Sequence, residues 1–435
     1  MTGALVLLVT LTLREAVGEA LEKHPAIAGA EARRSVAAAR EAESRAMRFP
    51  RVDVSETVMR SNNPVFVFGS LLEQGEFAPR HFDPAFLNAP DALTNFRASI
   101  TARYAAFDRF RTTTAVRQAR NGIDRAGVEL EETRQRVRSE AIARYYGVLV
   151  AQEKLAVAQE AVRFAEADAR AARDRFEQGL VVESDALSAD VQLAGFRQRV
   201  IAAEGELAVA RAALGTVLGR PIGEELDVER RHLAGWSGGV PASGTATLLE
   251  RALAQRAPVR SAASAVTDTE LRLKAERGSL LPRVDAFGTF GASGGTFGDR
   301  NSDHLAGVAV TFELFDRGRP ARIAAARAEI DAARAGEALA RDAVTMEVVT
   351  AWHRLRTARE SAAVAERAVE QAEAAARIVR DRYEQGLTTI TEQLRAQTAL
   401  VSARFELLAA RYESLVAQAE LLRATGDLND VDPFV

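Results

Sequence analysis

The protein has 435 residues, with 57 Lys and Arg against 60 Asp and Glu, so its formal net charge is −3. A nearly neutral chain has no broad electrostatic attraction to nucleic acid. The absence of cysteine excludes disulfides, thiolate metal sites, a catalytic cysteine and a lipid-modified N-terminal cysteine. Alanine, arginine, glutamate and leucine dominate the sequence, and this mixture at helical period is typical of long helices or coiled coils.

Residues 4–9 form a short apolar run with no preceding Lys or Arg and no clear A-x-A cleavage pattern after it. The run has two interpretations: the remnant of a signal peptide from a misplaced start, or an ordinary apolar stretch. No run of about 18 apolar residues exists in the sequence, so we expect no transmembrane helix.

The next residues predict a helix from about residue 13 to residue 47, which Pro50 ends. Alternating stretches at about 51–60 and 95–107 predict two strands, because side chains two positions apart share a face. The loop between them, 61–93, is long and aromatic. We interpret it as an extracellular cap or plug, with a plain solvated loop as the alternative.

The second half repeats this order, with predicted strands at about 283–291 and 304–315 around a short glycine-rich loop. Long helices follow the second strand of each half, at about 113–177 and 321–384. Each would measure about 95 Å and must therefore pack against neighbouring helices along its length. The last helix carries apolar residues spaced 4 and 3 apart, which is the pattern of a coiled-coil seam: Leu394, Thr398, Val401, Phe405, Leu408, Tyr412, Leu415, Ala419 and Leu422.

The hexapeptide RFEQGL, ending at Leu180, recurs as RYEQGL, ending at Leu387. We therefore divide the chain into a first repeat (1–218), a linker (219–247), a second repeat (248–426) and a tail (427–435). A glycine can close a helix in the left-handed conformation, so each RxEQGL predicts the tip of a helical hairpin, at about 178–185 and 385–392. Asp185 and Glu392 are expected to begin the returning helices. The alternative is a plain helix turn that duplication has repeated.

Four strands are too few to form a transmembrane barrel alone, because such barrels need about eight or more. Three chains would supply 12 strands, and the predicted strands approach the 9 to 11 residues that a membrane strand takes. A trimer is thus the smallest assembly that gives a reasonably wide barrel.

The motifs in their order resemble the TolC-type outer-membrane efflux protein family over nearly the whole chain. The resemblance rests on the twofold repeat and on six segments: LTLREAVGEALEKHP from Leu11, FPRVD from Phe49, LPRVD from Leu281, LFDRGRPARIAAARAEI from Leu314, RFEQGLVVESDAL from Arg175 and RYEQGLTTITEQL from Arg382.

The resemblance implies a mostly α fold with a small β part: a duplicated unit of coiled-coil hairpins and four strands. It implies a homotrimer with a 12-strand transmembrane β-barrel on a periplasmic α-helical barrel. Such a protein is the exit duct of a tripartite efflux or type I secretion system in the outer membrane of a Gram-negative bacterium. The implied partners are a periplasmic adaptor (membrane fusion) protein, an inner-membrane pump of RND or ABC type and outer-membrane lipid. The linker 219–247 and the tail would form a belt around the tunnel.

The hairpin tips would then be the functional site. We expect adaptor contact at Gly179, Leu180, Val181, Gly386, Leu387 and Thr388, because exposed apolar groups at a polar tip suit an interaction surface. The alternative is that they pack on each other.

For gating, we expect Tyr383 to hydrogen-bond to Asp185 across neighbouring hairpins, with charge-assisted contacts from Glu392 and Arg395. Family members often place two acidic residues one turn apart at these last two positions, so the resemblance implies a weaker acidic ring here. The alternative is that all four are ordinary surface residues.

The sequence contains neither GxxxxGK[ST] nor HExxH. It has only four Met, and its five His show no metal-ligand spacing: His24, His81, His232, His304 and His353. We expect no enzyme activity, cofactor, metal site or nucleic-acid partner. The alternative function is a soluble periplasmic coiled-coil scaffold or adaptor without a pore.

Overall fold

The computed structural model describes residues 9–221, 224, 226–229 and 244–434. The chain divides into two compact units, and each takes segments from both halves of the sequence. Unit 1 contains Met1–Arg34, Arg125–Ala263 and Gly336–Val435; unit 2 contains Ser35–Asp124 and Ser264–Ala335. Residues 4–8 of the N-terminal run and most of the predicted linker 219–247 lie outside the described residues.

The predicted helix at 13–47 is wrong in one respect, because the structure has two helices there. Helix α1 (Leu13–Lys23) begins with a capping box, in which the Thr12 hydroxyl and the Glu15 carboxylate bond each other's backbone amides. Helix α2 (Pro25–Ala46) follows directly. Between them His24 has extended backbone, with ψ 126°. The residue before a proline is sterically disfavoured from helical backbone, and this explains the break.

A short parallel strand pair was not predicted. Strand β1 (Val9–Leu11) pairs with β4 (Leu226–Val228), so the described chain has two strands in addition to the four expected. Leu11, Leu226 and Val228 are buried in the core of unit 1. Strands of three residues are too short to show an alternating pattern, which is why the sequence gives no signal for them.

Unit 1 is built mainly on two helical hairpins. The first joins α5 (Arg111–Glu177) to α6 (Glu183–Val217), and the second joins α9 (Arg319–Glu384) to α10 (Ile390–Thr425). At 67 and 66 residues, α5 and α9 are each about 100 Å long. The expected start positions need correction: α6 and α10 begin two residues before Asp185 and Glu392, which lie in the first helical turn.

Ion pairs show that the helices of each hairpin run antiparallel. Along α5 and α6, Arg173 meets Asp190 at 2.6 Å and Lys154 meets Glu206 at 3.0 Å. Along α9 and α10, Arg404 meets Glu373 at 2.9 Å, and Arg411 meets Glu366 at 2.8 Å. The predicted coiled-coil seam of α10 is buried or half-buried along its length. Two shorter helices, α7 (Thr245–Gln255) and α8 (Ala257–Gly278), precede the second hairpin.

Unit 2 contains a four-stranded antiparallel sheet in the order β2-β3-β5-β6. Its strands are β2 (Arg51–Ser61), β3 (Leu93–Phe107), β5 (Arg283–Gly294) and β6 (Asn301–Thr311). Strands β2 and β6 lie at the edges of this sheet and pair on one side only. Each edge strand therefore presents a row of backbone amides and carbonyls that this sheet leaves open.

The connection between β2 and β3, called here the 62–92 segment, is folded, so the alternative of a plain solvated loop is wrong. It contains α3 (Pro64–Glu73), a 3-10 turn (Pro79–Phe82) and α4 (Pro84–Asn88). The Asn63 side chain accepts the amides of Val65 and Phe66 and starts α3. None of the helices in the described ranges combines the length and the apolar character needed to cross a membrane.

Candidate functional site

The two RxEQGL turns have the same backbone geometry, and this geometry explains the repeated glycine. The backbone is left-handed at both glycines, with φ 71° at Gly179 and 73° at Gly386. The residue after each glycine donates its amide to the carbonyl of the arginine that opens the motif, at 2.8 Å in both turns. A residue with a β-carbon is strained in this conformation, so glycine closes both helices.

The predicted contact residues lie on the surface of these turns. Leu180 is 69% exposed and Leu387 is 64% exposed, while Val181 and Thr388 are half-buried. Val182, which was not among the predicted residues, is 63% exposed. The alternative that these side chains pack on each other does not fit the two leucines, because most of their surface faces solvent within the chain.

Tyr383 occupies a different environment from the one expected of a surface gate residue. It is 7% exposed and packs in the hydrophobic cluster formed by α5, α6, α9 and α10. The Arg175 guanidinium lies over its ring at 4.5 Å from the centroid, a cation–π contact that joins the two hairpins. Its hydroxyl is buried and has no hydrogen-bond partner among the described residues, so the bond to Asp185 does not form within one chain.

The other two predicted gating residues contact each other. The Arg395 guanidinium lies 3.0 Å from the Glu392 carboxylate, one turn apart on α10, and both side chains are mostly exposed. Thr389, just before α10, accepts the Glu392 amide with its hydroxyl and caps the helix. Asp185 is half-buried in the first turn of α6. The structure thus brings together Glu392 with Arg395, but not Asp185 with Tyr383.

A polar network lies behind the second turn and was not predicted from the sequence. The Asp168 carboxylate on α5 accepts hydrogen bonds from the side-chain amides of Gln393, at 2.7 Å, and Gln397, at 2.5 Å. Both glutamines are buried. Burial raises the pKa of Asp168, against the opposing effect of these hydrogen bonds and of the nearby Arg380.

A signal for this network does exist in the sequence. Asp168 interrupts a row of alanines on α5 (Ala161, Ala165 and Ala172) whose spacing of 4 and 3 includes position 168. An acidic residue in a seam of small residues indicates a buried partner. The partners themselves lie 225 and 229 positions away in the sequence, so the row does not identify them.

The sheet of unit 2 has two chemically different faces, as the strand alternation predicts. One face carries apolar side chains that are 40% to 76% exposed: Val52, Val54, Val58, Ile100, Tyr104, Phe290, Val308 and Val310. Glu56 also lies on this face, where Arg300 holds both of its oxygens at 3.0 Å. The opposite face is largely polar and includes Ser55, Arg97, Ser99, Thr101, Thr289 and Asp303.

An exposed apolar face on a sheet, joined in one chain to coiled-coil hairpins of about 100 Å, is the architecture of an outer-membrane channel protomer. The solved structure of the Campylobacter jejuni CmeC outer membrane channel has this fold. It matches with a TM-score of 0.81 at 17% identity, over 95% of this chain and 85% of that one. The predicted fold class is confirmed.

The chain belongs to the outer membrane efflux protein family, whose sequence pattern it matches at residues 16–220 and 248–427. It is 27% identical over 330 residues to Protein CyaE of Bordetella pertussis, covering 72% of this chain and 67% of that protein. It is 26% identical over 325 residues to the outer membrane efflux protein BepC of Brucella suis, covering 73% and 69%.

The protein is therefore an outer-membrane exit channel of an efflux or secretion system that extends into the periplasm. This confirms the function and the location that the sequence predicts. The family is one of transport proteins. The alternative of a soluble scaffold without a pore is set aside.

Proposed function

We propose that three copies of this chain form one closed conduit, in which β2 of each protomer pairs with β6 of the next. The observation that carries the proposal is the sheet of unit 2. Its two edge strands each pair on one side only, and its exposed apolar face needs lipid to cover it. Three such sheets make 12 strands, a barrel whose polar faces line the lumen.

Edge pairing is tested with cysteine pairs, because the native chain has no cysteine to interfere. Ser55→Cys on β2 is combined in turn with Asp303→Cys, Leu305→Cys and Ala309→Cys on β6, which share its face of the sheet. Oxidation of the correct register should give covalent trimers on a denaturing gel, and Ser55→Cys alone should not. A monomeric mass in detergent, with no cross-linked species from any pair, would overturn the proposal.

We further propose that the RxEQGL turns form the periplasmic end of the conduit and bind an adaptor protein, which couples it to an inner-membrane pump. The exposure of Leu180 and Leu387 at the ends of otherwise polar hairpins supports this. Leu387→Cys, carrying a photoactivatable maleimide, should cross-link to the adaptor in an assembled pump. Cysteine at Val364, an equally exposed position on α9 about 20 residues before the turn, is the matched control.

Gating is assigned to Asp185, Tyr383, Glu392 and Arg395 across the protomer boundary. The Tyr383 hydroxyl has no hydrogen-bond partner among the described residues of one chain, and a buried hydroxyl without a partner is costly. The assignment therefore requires the second turn to open at the protomer boundary, where a neighbouring chain supplies the partner. Asp185→Ala should raise single-channel conductance in a planar bilayer. Unchanged conductance in a protein that still forms trimers would remove Asp185 from the gate.

A further inference from the structure

We infer that the 62–92 segment is a lid over the outer end of the channel lumen, and that a charged anchor on the sheet holds it closed. The inference rests on the proposed function, since it takes the polar face of the sheet as the lumen face. The juxtaposition that carries it is the contact of Glu73 and Gln74, at the end of α3, with that polar face.

The anchor joins Glu73 to two strands of the sheet. Its carboxylate lies 3.2 Å from the Arg97 guanidinium on β3 and accepts the Ser293 hydroxyl of β5 at 3.3 Å. Its backbone carbonyl accepts the side-chain amide of Asn301, at the start of β6, at 3.1 Å. Arg97 also pairs with Asp303 at 2.8 Å. Glu73 thus completes a charge cluster that spans β3, β5 and β6.

A second contact strengthens the anchor. The side-chain amide of Gln74 donates to the Asn95 side chain at 3.0 Å and to the Thr94 carbonyl at 3.1 Å. Gln74 and Asn95 are both buried. Buried side-chain amides are costly without partners, so these hydrogen bonds fix the position of the end of α3 on β3.

The strand register shows which face of the sheet the end of α3 contacts. Asn95 and Arg97 alternate along β3 with Phe96 and Ala98, and they share their face with Thr101 further along the strand. The exposed apolar side chains, including Val54 on β2, lie on the other face. In a membrane barrel the apolar face meets lipid and the polar face lines the lumen. The end of α3 therefore lies on the lumen side.

The 62–92 segment has its own small core, so it covers the lumen as a folded element. Phe77 lies at its centre and packs edge-on against Phe68 and Phe82, each at 5.0 Å between ring centroids. The His81 ring packs against Phe86 at 5.0 Å. The left-handed Gly75, with φ 73°, ends α3 directly at the anchor and turns the chain toward this cluster. The corresponding β5–β6 connection has six residues, so the sheet carries one such element.

The lid is tested by the labelling rate of a cysteine beneath it. Thr101→Cys places a single thiol on the polar face, further from the outer end than the anchor. Whole cells are treated with a bulky, membrane-impermeant maleimide–polyethylene glycol. The anchor is released by Glu73→Ala with Gln74→Ala, or the lid is removed by replacing residues 64–88 with a short Gly-Ser linker. We expect labelling to rise about tenfold or more in both variants, because the rate follows the fraction of open molecules.

Three controls are made in the same cells. Val65→Ala shortens an 83% exposed side chain of the same helix and should leave the labelling rate unchanged. A small hydrophilic maleimide should label Thr101→Cys in every variant. Val54→Cys, on the apolar face, should resist both reagents in every variant. Trimers on a gel show which variants have assembled, so the anchor variant serves as the test if the deletion does not assemble.

The outcomes separate this inference from the proposed function. Equal labelling of Thr101→Cys by the bulky reagent with and without the anchor and lid, while Val54→Cys stays unlabelled, would overturn the lid and leave the lumen face intact. Equal labelling of Val54→Cys and Thr101→Cys, or no labelling of Thr101→Cys by the small reagent, would overturn the assignment of the lumen face itself.

Discussion

The two hairpin turns share one backbone but differ in what lies beneath them. Phe176 of the first turn is 42% exposed, whereas Tyr383 at the matching position of the second is 7% exposed. The second turn also has a side-chain cap from Thr389, while Val182 provides none at the first. Duplication has therefore kept the hydrogen bonds of the turn, and the two copies have diverged in packing. We therefore expect the second turn to be the more stable of the two.

The largest expected effect is at the buried aromatic residue. Tyr383→Ala should lower the free energy of local unfolding at the second turn by about 3–5 kcal/mol, as for other buried aromatic truncations. Phe176→Ala should cost about 1 kcal/mol or less, because its ring is partly in solvent already. Hydrogen exchange of the peptides around each turn measures both values. Equal losses at the two turns would contradict the comparison.

The variant Tyr383→Phe removes the hydroxyl but keeps the ring, so it tests a role of the hydroxyl apart from the packing of the ring. Within one chain the hydroxyl has no partner among the described residues, so its removal should leave local stability unchanged or slightly higher. A clear loss in the trimer, absent from the monomer in detergent, would show that a neighbouring protomer binds the hydroxyl.

Substitutions at the two turn glycines should have equal effects, because the two turns have the same backbone conformation. Gly179→Ala and Gly386→Ala each force a β-carbon into the left-handed region at a cost of about 1–2 kcal/mol. In neither turn would the new β-carbon meet an atom of the described residues within 4 Å, so the cost is conformational. Hydrogen exchange should give the same loss at both positions. A difference larger than the experimental error would mean that packing contributes at one turn.

Substitutions at the helix caps, unlike those at the glycines, should have different effects at the two turns. Thr389→Ala removes a hydrogen bond to the Glu392 amide and should destabilise the second turn by about 1 kcal/mol. Val182→Ser offers the first turn the cap that it lacks and should stabilise α6 by a similar amount. Val182→Ala is the matched control for the lost side chain. If Val182→Ser behaves like Val182→Ala, the turn does not accept a cap.

The smallest effect is a pH dependence confined to the second turn. The pKa of Asp168 is raised above the ordinary value near 3.8 by burial, so the folded state keeps this proton at higher pH than the unfolded state does. Stability from this group is complete below the ordinary pKa and is lost as pH rises through the folded value. Asp168→Asn should flatten the exchange–pH profile of residues 390–400 and leave residues 183–193 unchanged. An identical profile in the variant would contradict the assignment.

Features with local causes could be predicted from the sequence. The turn glycines, the α10 seam and the alternation of β2 and β5 each depend on residues within one element. The helices of the 62–92 segment were not predicted, because they follow from the Asn63 cap and the Phe77 cluster together. The cap suggested by its aromatic residues stays a prediction.

Features with distant causes could not be predicted. The burial of Tyr383 requires the packing of four helices, and Asp168 meets glutamines more than 200 positions away. At the tips, the sequence identifies the exposed leucines but does not indicate that Tyr383 lies beneath them.

Two neighbouring tyrosines of α5 donate hydrogen bonds to backbone carbonyls near the two ends of the described chain. The Tyr145 hydroxyl bonds the Leu11 carbonyl and the Tyr146 hydroxyl bonds the Phe434 carbonyl, across 134 and 288 positions of sequence. Contacts of such high contact order form slowly, because long loops must close first. Unit 1 cannot be complete until the ribosome has made residue 434. A nascent chain that lacks this residue therefore lacks the buried hydrogen bond that joins α5 to the C-terminal segment.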